Sequence, residues 1–109
     1  MQVTLTALRV LNVFLEEPTA HRYGLEIMKA TGLQSGTLYP LLARFERAGW
    51  LASSKEQIDV KAEGRPARRY YFLTAEGTRE ARLARAEISA QLQPATGFMP
   101  GKLLPGGQY

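Results

Sequence analysis

Cysteine is absent from the 109 residues, and histidine and tryptophan occur once each, as His21 and Trp50. Without cysteine there is no disulfide scaffold, thiol nucleophile, thiolate zinc site or iron–sulfur cluster. One imidazole per chain excludes a multi-histidine metal site within it. No apolar run approaches the ~18 residues of a membrane span, and the N-terminus lacks a signal-peptide pattern, so a cytoplasmic location with no membrane partner is expected. No carboxylate pair stands at a suggestive spacing, and no nucleophile, base and orienting group can be assembled. The chain is therefore expected not to be an enzyme, to have no catalytic or metal-binding residues and to need no cofactor. His21 reads as a surface residue, because a general base needs a positioned partner and none is suggested.

What is present is the balance of a single globular domain, with 45% hydrophobic and 22% charged residues. Fourteen Lys and Arg against ten Asp and Glu leave a net charge of +4. The sequence pI is near 9.7, and a basic domain favours a polyanionic partner, nucleic acid first. The charge is also patterned. Between Lys61 and Phe72, the cations Lys61, Arg65, Arg68 and Arg69 face only one carboxylate, Glu63.

Leu5, Leu8, Leu11 and Leu15 recur at helical spacing, widened by Val10, Val13 and Phe14, and Pro18 closes this first helix. A second helix is expected from Arg22 to Thr31, with Leu25, Ile27, Met28 and Ala30 on its apolar side and Gly32 as a left-handed cap. Only Leu33 and Gln34 then precede a third helix, which makes a tight helix–turn–helix. That helix is expected to start with Ser35 as N-cap, to bury Leu38, Leu41, Leu42 and Phe45, and to end near Gly49. Pro40 lies past its first turn and marks a kink or a tightened turn. Trp50–Ile58 and Arg68–Leu73 read as two strands of a hairpin, joined by the loop Asp59–Ala67. Thr74 caps a fourth helix over Ala75–Leu92.

The order predicts a mainly α fold with a small β-hairpin, a winged helix–turn–helix with a C-terminal dimerisation helix. Residues 1–74 form the DNA-binding domain and residues 75–93 the dimerisation helix. Residues 94–109, with three prolines and four glycines, form a flexible tail.

The polar residues of the third helix gather at its N-terminal end, as Gln34, Ser35, Thr37 and Tyr39, where a recognition helix reads base edges. Gly36, Pro40 and Ala43 are small enough to let another surface approach. Tyr23, Arg44, Lys61, Arg65 and Arg68 are expected on the DNA backbone, since such donors position a protein on a duplex. Arg65, between Gly64 and Pro66, is expected to point its guanidinium outward from the wing tip. Trp50 and the run Tyr70, Tyr71, Phe72 read either as a stacking platform or as core and hairpin packing. The stripe Gly77, Ala81, Ala84, Ile88 and Leu92 either folds back on the domain or dimerises. Dimerisation through Ala81, Ala84, Ile88 and Leu92 is favoured, because operator-reading proteins pair across a two-fold axis.

Most of residues 5–92 resemble the PadR family of transcriptional regulators. The resemblance rests on Tyr23-Gly24-Leu25-Glu26-Ile27, on Ser35-Gly36-Thr37-Leu38-Tyr39-Pro40-Leu41-Leu42 and on Glu46-Arg47-Ala48-Gly49-Trp50-Leu51. It continues in Gly64-Arg65-Pro66-Ala67-Arg68-Arg69-Tyr70-Tyr71-Phe72-Leu73-Thr74 and Glu76-Gly77. It implies a homodimeric winged-helix DNA-binding repressor, often of stress, detoxification or efflux genes, with proline inside the recognition helix. The chain departs from the family in a shorter turn before that helix and in the Gly/Pro tail that replaces a long helical domain. The expected partners are a double-stranded operator with an inverted repeat and a second copy of the chain, with a small-molecule effector left open. The alternative is a winged-helix protein-interaction module that binds no DNA.

Overall fold

The first helix, α1 (Leu5–Glu16), starts where the Thr4 hydroxyl accepts the Ala7 N–H at 3.1 Å. In the computed structural model, which describes residues 2–93, α1 is the spine of the core. It buries Ala7, Val10, Leu11, Val13, Phe14 and Leu15, while Leu5 of the expected stripe remains 58% exposed.

Arg22 and Tyr23 are not helical. They form the short strand β1, with α2 (Gly24–Thr31) starting after them. The reason is local: the Glu26 carboxylate reaches back to accept the Tyr23 N–H at 2.8 Å, which fixes Tyr23 as an extended N-cap. Ile27 is the fully buried residue of α2; Leu25 and Ala30 face outward. Gly32, at φ 76°, closes α2 with its N–H on the Met28 carbonyl. The left-handed backbone permitted by glycine turns the chain within Gly32, Leu33 and Gln34.

The next helix, α3, spans Ser35–Arg47. Ser35 is its first helical residue instead of its cap; Gln34 is the N-cap and Ser35 makes no capping bond. The Gln34 carbonyl accepts from both Thr37 and Leu38 N–H groups, so the first turn is tightened. The chain stays helical through Pro40. Leu38, Leu41, Leu42 and Phe45 are buried as expected.

The hairpin strands are shorter than expected, β2 (Leu51–Lys55) and β3 (Arg69–Leu73), paired antiparallel with Leu51 opposite Leu73 and Lys55 opposite Arg69. With β1 on the other side of β3 the sheet has three strands, in the order β1-β3-β2. A single helical turn, α4 (Val60–Glu63), interrupts the loop between β2 and β3; Asp59 caps it by accepting from the Lys61 and Ala62 N–H groups. Trp50 and Tyr71 are core residues, with Trp50 stacked on Phe45 at 5.8 Å. Tyr70 and Phe72 alternate to the other face of the sheet, where the His21 ring stacks on Tyr70 at 4.6 Å.

The last helix, α5 (Ala75–Gln91), is capped by Thr74, whose hydroxyl accepts the Gly77 N–H and donates to the Gly49 carbonyl. It packs along α1. Gly77, Ala81 and Ala84 are buried, Gly77 against the Trp50 backbone, and Ala81 belongs to the core. Ala81, fully buried inside one chain, is thus removed from the expected dimer surface, while Ala84 lines a groove beside Ile88. The result is a winged helix–turn–helix. Among the described residues no helix is long and apolar enough to cross a membrane, and no group of potential metal ligands gathers. The tail expected over residues 94–109 lies outside the described residues.

Candidate nucleic-acid interface

Four buried side chains of α3 anchor one face of the helix, which leaves the other face outward. Gln34, Ser35, Gly36 and Thr37 are exposed at its start, and Arg44 and Arg47 near its end. A side chain at Gly36 would meet nothing within 4 Å. Pro40 has no N–H, so the Gly36 carbonyl lacks its usual helical donor. Tyr39 is 44% exposed, and its ring also lies over Gly24, where α2 begins. It therefore joins the two helices and keeps an outward edge.

The wing differs from the outward-pointing cluster expected from the sequence. Arg65 does not project. Its guanidinium forms a bidentate pair with Glu56, Nη1 to Oε1 at 2.7 Å and Nη2 to Oε2 at 3.3 Å, and Nη1 also donates to the Pro66 carbonyl. The same carboxylate accepts the Arg68 backbone N–H at 2.9 Å and the Tyr23 hydroxyl at 3.2 Å. The Arg65 and Arg68 donors and the Tyr23 hydroxyl hold the Glu56 carboxyl down at about 2, against a partial opposing effect of desolvation. Arg65 is correspondingly pushed up. Tyr23 and Arg65, both expected on the DNA backbone, thus direct their donors to Glu56. Glu56 itself lies just upstream of the basic run that drew attention in the sequence. A carboxylate at the mouth of a cationic hairpin is the signal that could have found it.

The remaining wing cations have different settings. Lys61 is exposed on α4. Arg68 is exposed, with its guanidinium 5.2 Å from the centre of the Tyr23 ring. Arg69 donates to the Ser53 hydroxyl, which donates to Glu46 of α3 at 2.8 Å. That relay ties β3 through β2 to the helix. Between α3 and the wing lies a hollow of about 240 Å³ lined by Tyr23, Gly24, Tyr39, Arg68 and Arg69 among others. Away from this face, the outer side of α5 and the N-terminal segment enclose a groove of about 550 Å³, lined by Val3, Trp50, Leu83, Glu87 and Ile88 among others. Leu83 and Leu92 are 59% and 71% exposed.

Comparison with solved structures returns the same architecture. The chain matches smu.1704 from Streptococcus mutans at 24% identity and TM-score 0.65, covering 84% of each chain. It matches reduced AbfR bound to DNA at 26% identity and TM-score 0.66, over 86% of this chain and 62% of that one; AbfR is a protein of Staphylococcus epidermidis. A PadR-like transcription factor from Bacteroides fragilis is 22% identical at TM-score 0.63, over 79% of this chain and 84% of the other. No curated protein gives a significant match. Residues 10–83 match the family model of the transcriptional regulator PadR-like family. That span runs from the core of α1 through the helix–turn–helix and the wing into α5, and the chain belongs to the PadR-like family of transcriptional regulators.

Proposed function

We propose that the protein is a cytoplasmic, sequence-specific, homodimeric repressor that binds a double-stranded operator carrying an inverted repeat. The observation that carries this reading is the exposed polar start of α3, set beside a basic wing in a chain of a transcription-regulator family. The DNA-bound state of AbfR, a protein of the same fold, supports a duplex as the partner. Gln34, Ser35, Thr37 and the outward edge of Tyr39 read base edges, aided by the close approach that Gly36 and Pro40 permit. Arg44, Lys61 and Arg68 contact phosphates. Tyr23 and Arg65 serve the same interface from behind, by fixing the wing. Ile88 and Leu92, joined by Leu83, hold the partner subunit.

The test is binding to a duplex from the gene's own upstream region and to a scrambled duplex, at two salt concentrations. Preference for the upstream duplex, with both affinities falling as salt rises, supports the reading. Thr37→Ala should cost about 1–3 kcal/mol on the preferred duplex, the scale of one base contact, and little on the scrambled one. No binding to either duplex would leave the fold as a protein-interaction module.

A further inference from the structure

Glu56 is an acidic side chain at the heart of a surface that, on the reading above, meets polyanionic DNA. A carboxylate there repels phosphate, so its presence asks for a reason. The geometry supplies one. Four donors converge on its two oxygens: two from Arg65 at the wing tip, one from the Arg68 backbone at the start of β3, and one from the Tyr23 hydroxyl at the head of α2. That occupies essentially all the acceptor capacity of one carboxylate. Its own N–H donates to the Arg68 carbonyl at 2.8 Å, which extends the ladder one residue past β2. The side chain is only 14% exposed, and the Arg65 side chain is 31% exposed.

The three partners come from two parts of the fold. Arg65 and Arg68 belong to the wing; Tyr23 belongs to the helix–turn–helix. The Tyr23 hydroxyl is the side-chain link from Glu56 to α2, and its ring carries the Arg68 guanidinium at 5.2 Å. One carboxylate therefore adds a side-chain clamp to the backbone pairing of β1 with β3, tying the wing tip to the head of α2 and, through Tyr23, setting the position of the exposed Arg68.

We propose that Glu56 is the positioning residue of the DNA-binding surface: it clamps the wing to the helix–turn–helix so that Arg68 and α3 engage one duplex in a single register. This rests on the DNA-binding reading and deepens it. The clamp makes an unusual trade. It places a negative charge near the DNA and uses up Arg65, which lowers non-specific attraction, in exchange for a fixed geometry that only the correct site rewards.

Glu56→Gln separates this role from a simple charge effect, because the two predict opposite signs. If Glu56 is only a countercharge, removing it and freeing Arg65 tightens all DNA binding together. If it positions the wing, the preferred duplex loses affinity while the scrambled one keeps or gains it. The probes are a duplex selected by the wild-type protein from a random pool and a scrambled duplex of equal length. Operator affinity should fall by about tenfold, the scale of one misplaced contact. The salt dependence on scrambled duplex should steepen, by up to ~0.9 in log–log slope for each freed Arg65 that reaches a phosphate. Tyr23→Phe changes no charge and cuts only the link to α2. It should shift the ratio of the two affinities the same way by a smaller factor, and should speed tryptic cleavage at Lys61 or Arg68.

Equal tightening on both duplexes in Glu56→Gln overturns the proposal while leaving the DNA-binding reading intact. Should Glu56→Gln fail to fold, Tyr23→Phe decides: unchanged affinities and unchanged cleavage overturn it. A wild-type protein that selects no duplex overturns the functional reading itself.

Discussion

At Gly77 the residue scale already decides between two physical effects of opposite sign. Glycine inside a helix costs up to ~1 kcal/mol against alanine, so propensity alone says that Gly77→Ala stabilises. A Cβ there would overlap the Trp50 carbonyl, which belongs to the backbone and cannot swing away. Overpacking of this kind costs about 1–3 kcal/mol or more, and it should win. We expect a lower urea midpoint for Gly77→Ala; a higher one would mean that α5 does not lie this close to Trp50. Glu56 offers a second residue-scale outcome, through pH. Its carboxyl is held at about 2 in the folded protein, against 4.5 when free. A depressed folded value means stability that is present above 4.5 and lost as pH falls towards 2. The difference in urea midpoint between wild type and Glu56→Gln should therefore be constant at neutral and mildly acidic pH and shrink below pH 4.5. A gap that stays constant down to about 2 would mean that the Arg65 pair does not form.

At the scale of elements, Pro40 in α3 shows what a local rule can and cannot carry. Proline within a helix removes a hydrogen bond and crowds the carbonyl four residues back, a penalty approaching ~3 kcal/mol in full. Pro40 is exposed and its ring supports no core contact. Pro40→Ala should raise stability by about 1–3 kcal/mol in chemical denaturation, a gain that would mark the proline as kept for the surface of α3 and not for folding. A loss would show that the tightened first turn depends on it. The four longer helices and the two hairpin strands were legible in the sequence because each repeats a pattern more than once. β1 and α4 were not, since two and four residues complete a single period and repeat nothing. Their signals are side chains acting at short range, Glu26 on Tyr23 and Asp59 on Lys61 and Ala62. The exposed start of α3 could likewise be read from Gln34, Ser35 and Thr37. The pairing of Arg65 could not. It depends on Glu56, nine residues earlier, being brought across the wing by the register of β2 on β3. Composition counts charges, but only the fold tells which of them are already spent.

For the whole molecule, the proposed second copy has a place to dock in the apolar side chains that α5 leaves exposed among the described residues. Burial of Gly77 against the Trp50 backbone and of Ala81 in the core fixes the rotation of α5, and this leaves Leu83 and Leu92 exposed and Ile88 half-buried. Leu83 and Ile88 line the 550 Å³ groove with Val3 and Trp50, and Leu92 extends the exposed side a turn further along. Large apolar side chains clustered in this way mark an interaction site more often than a solvated surface. A two-fold partner would present the same helix and bury both copies at once. Ile88→Glu with Leu92→Glu would place four carboxylates in that seam, at a cost of several kcal/mol when they are desolvated without partners. Since neither side chain belongs to the buried core, each subunit should still fold and keep its circular dichroism. Sedimentation at micromolar concentration should then give monomers, and affinity for an inverted repeat should drop towards that for one half-site. A double variant that still sediments as a dimer would move the interface elsewhere, with the exposed Leu5 on α1 as the next place to substitute.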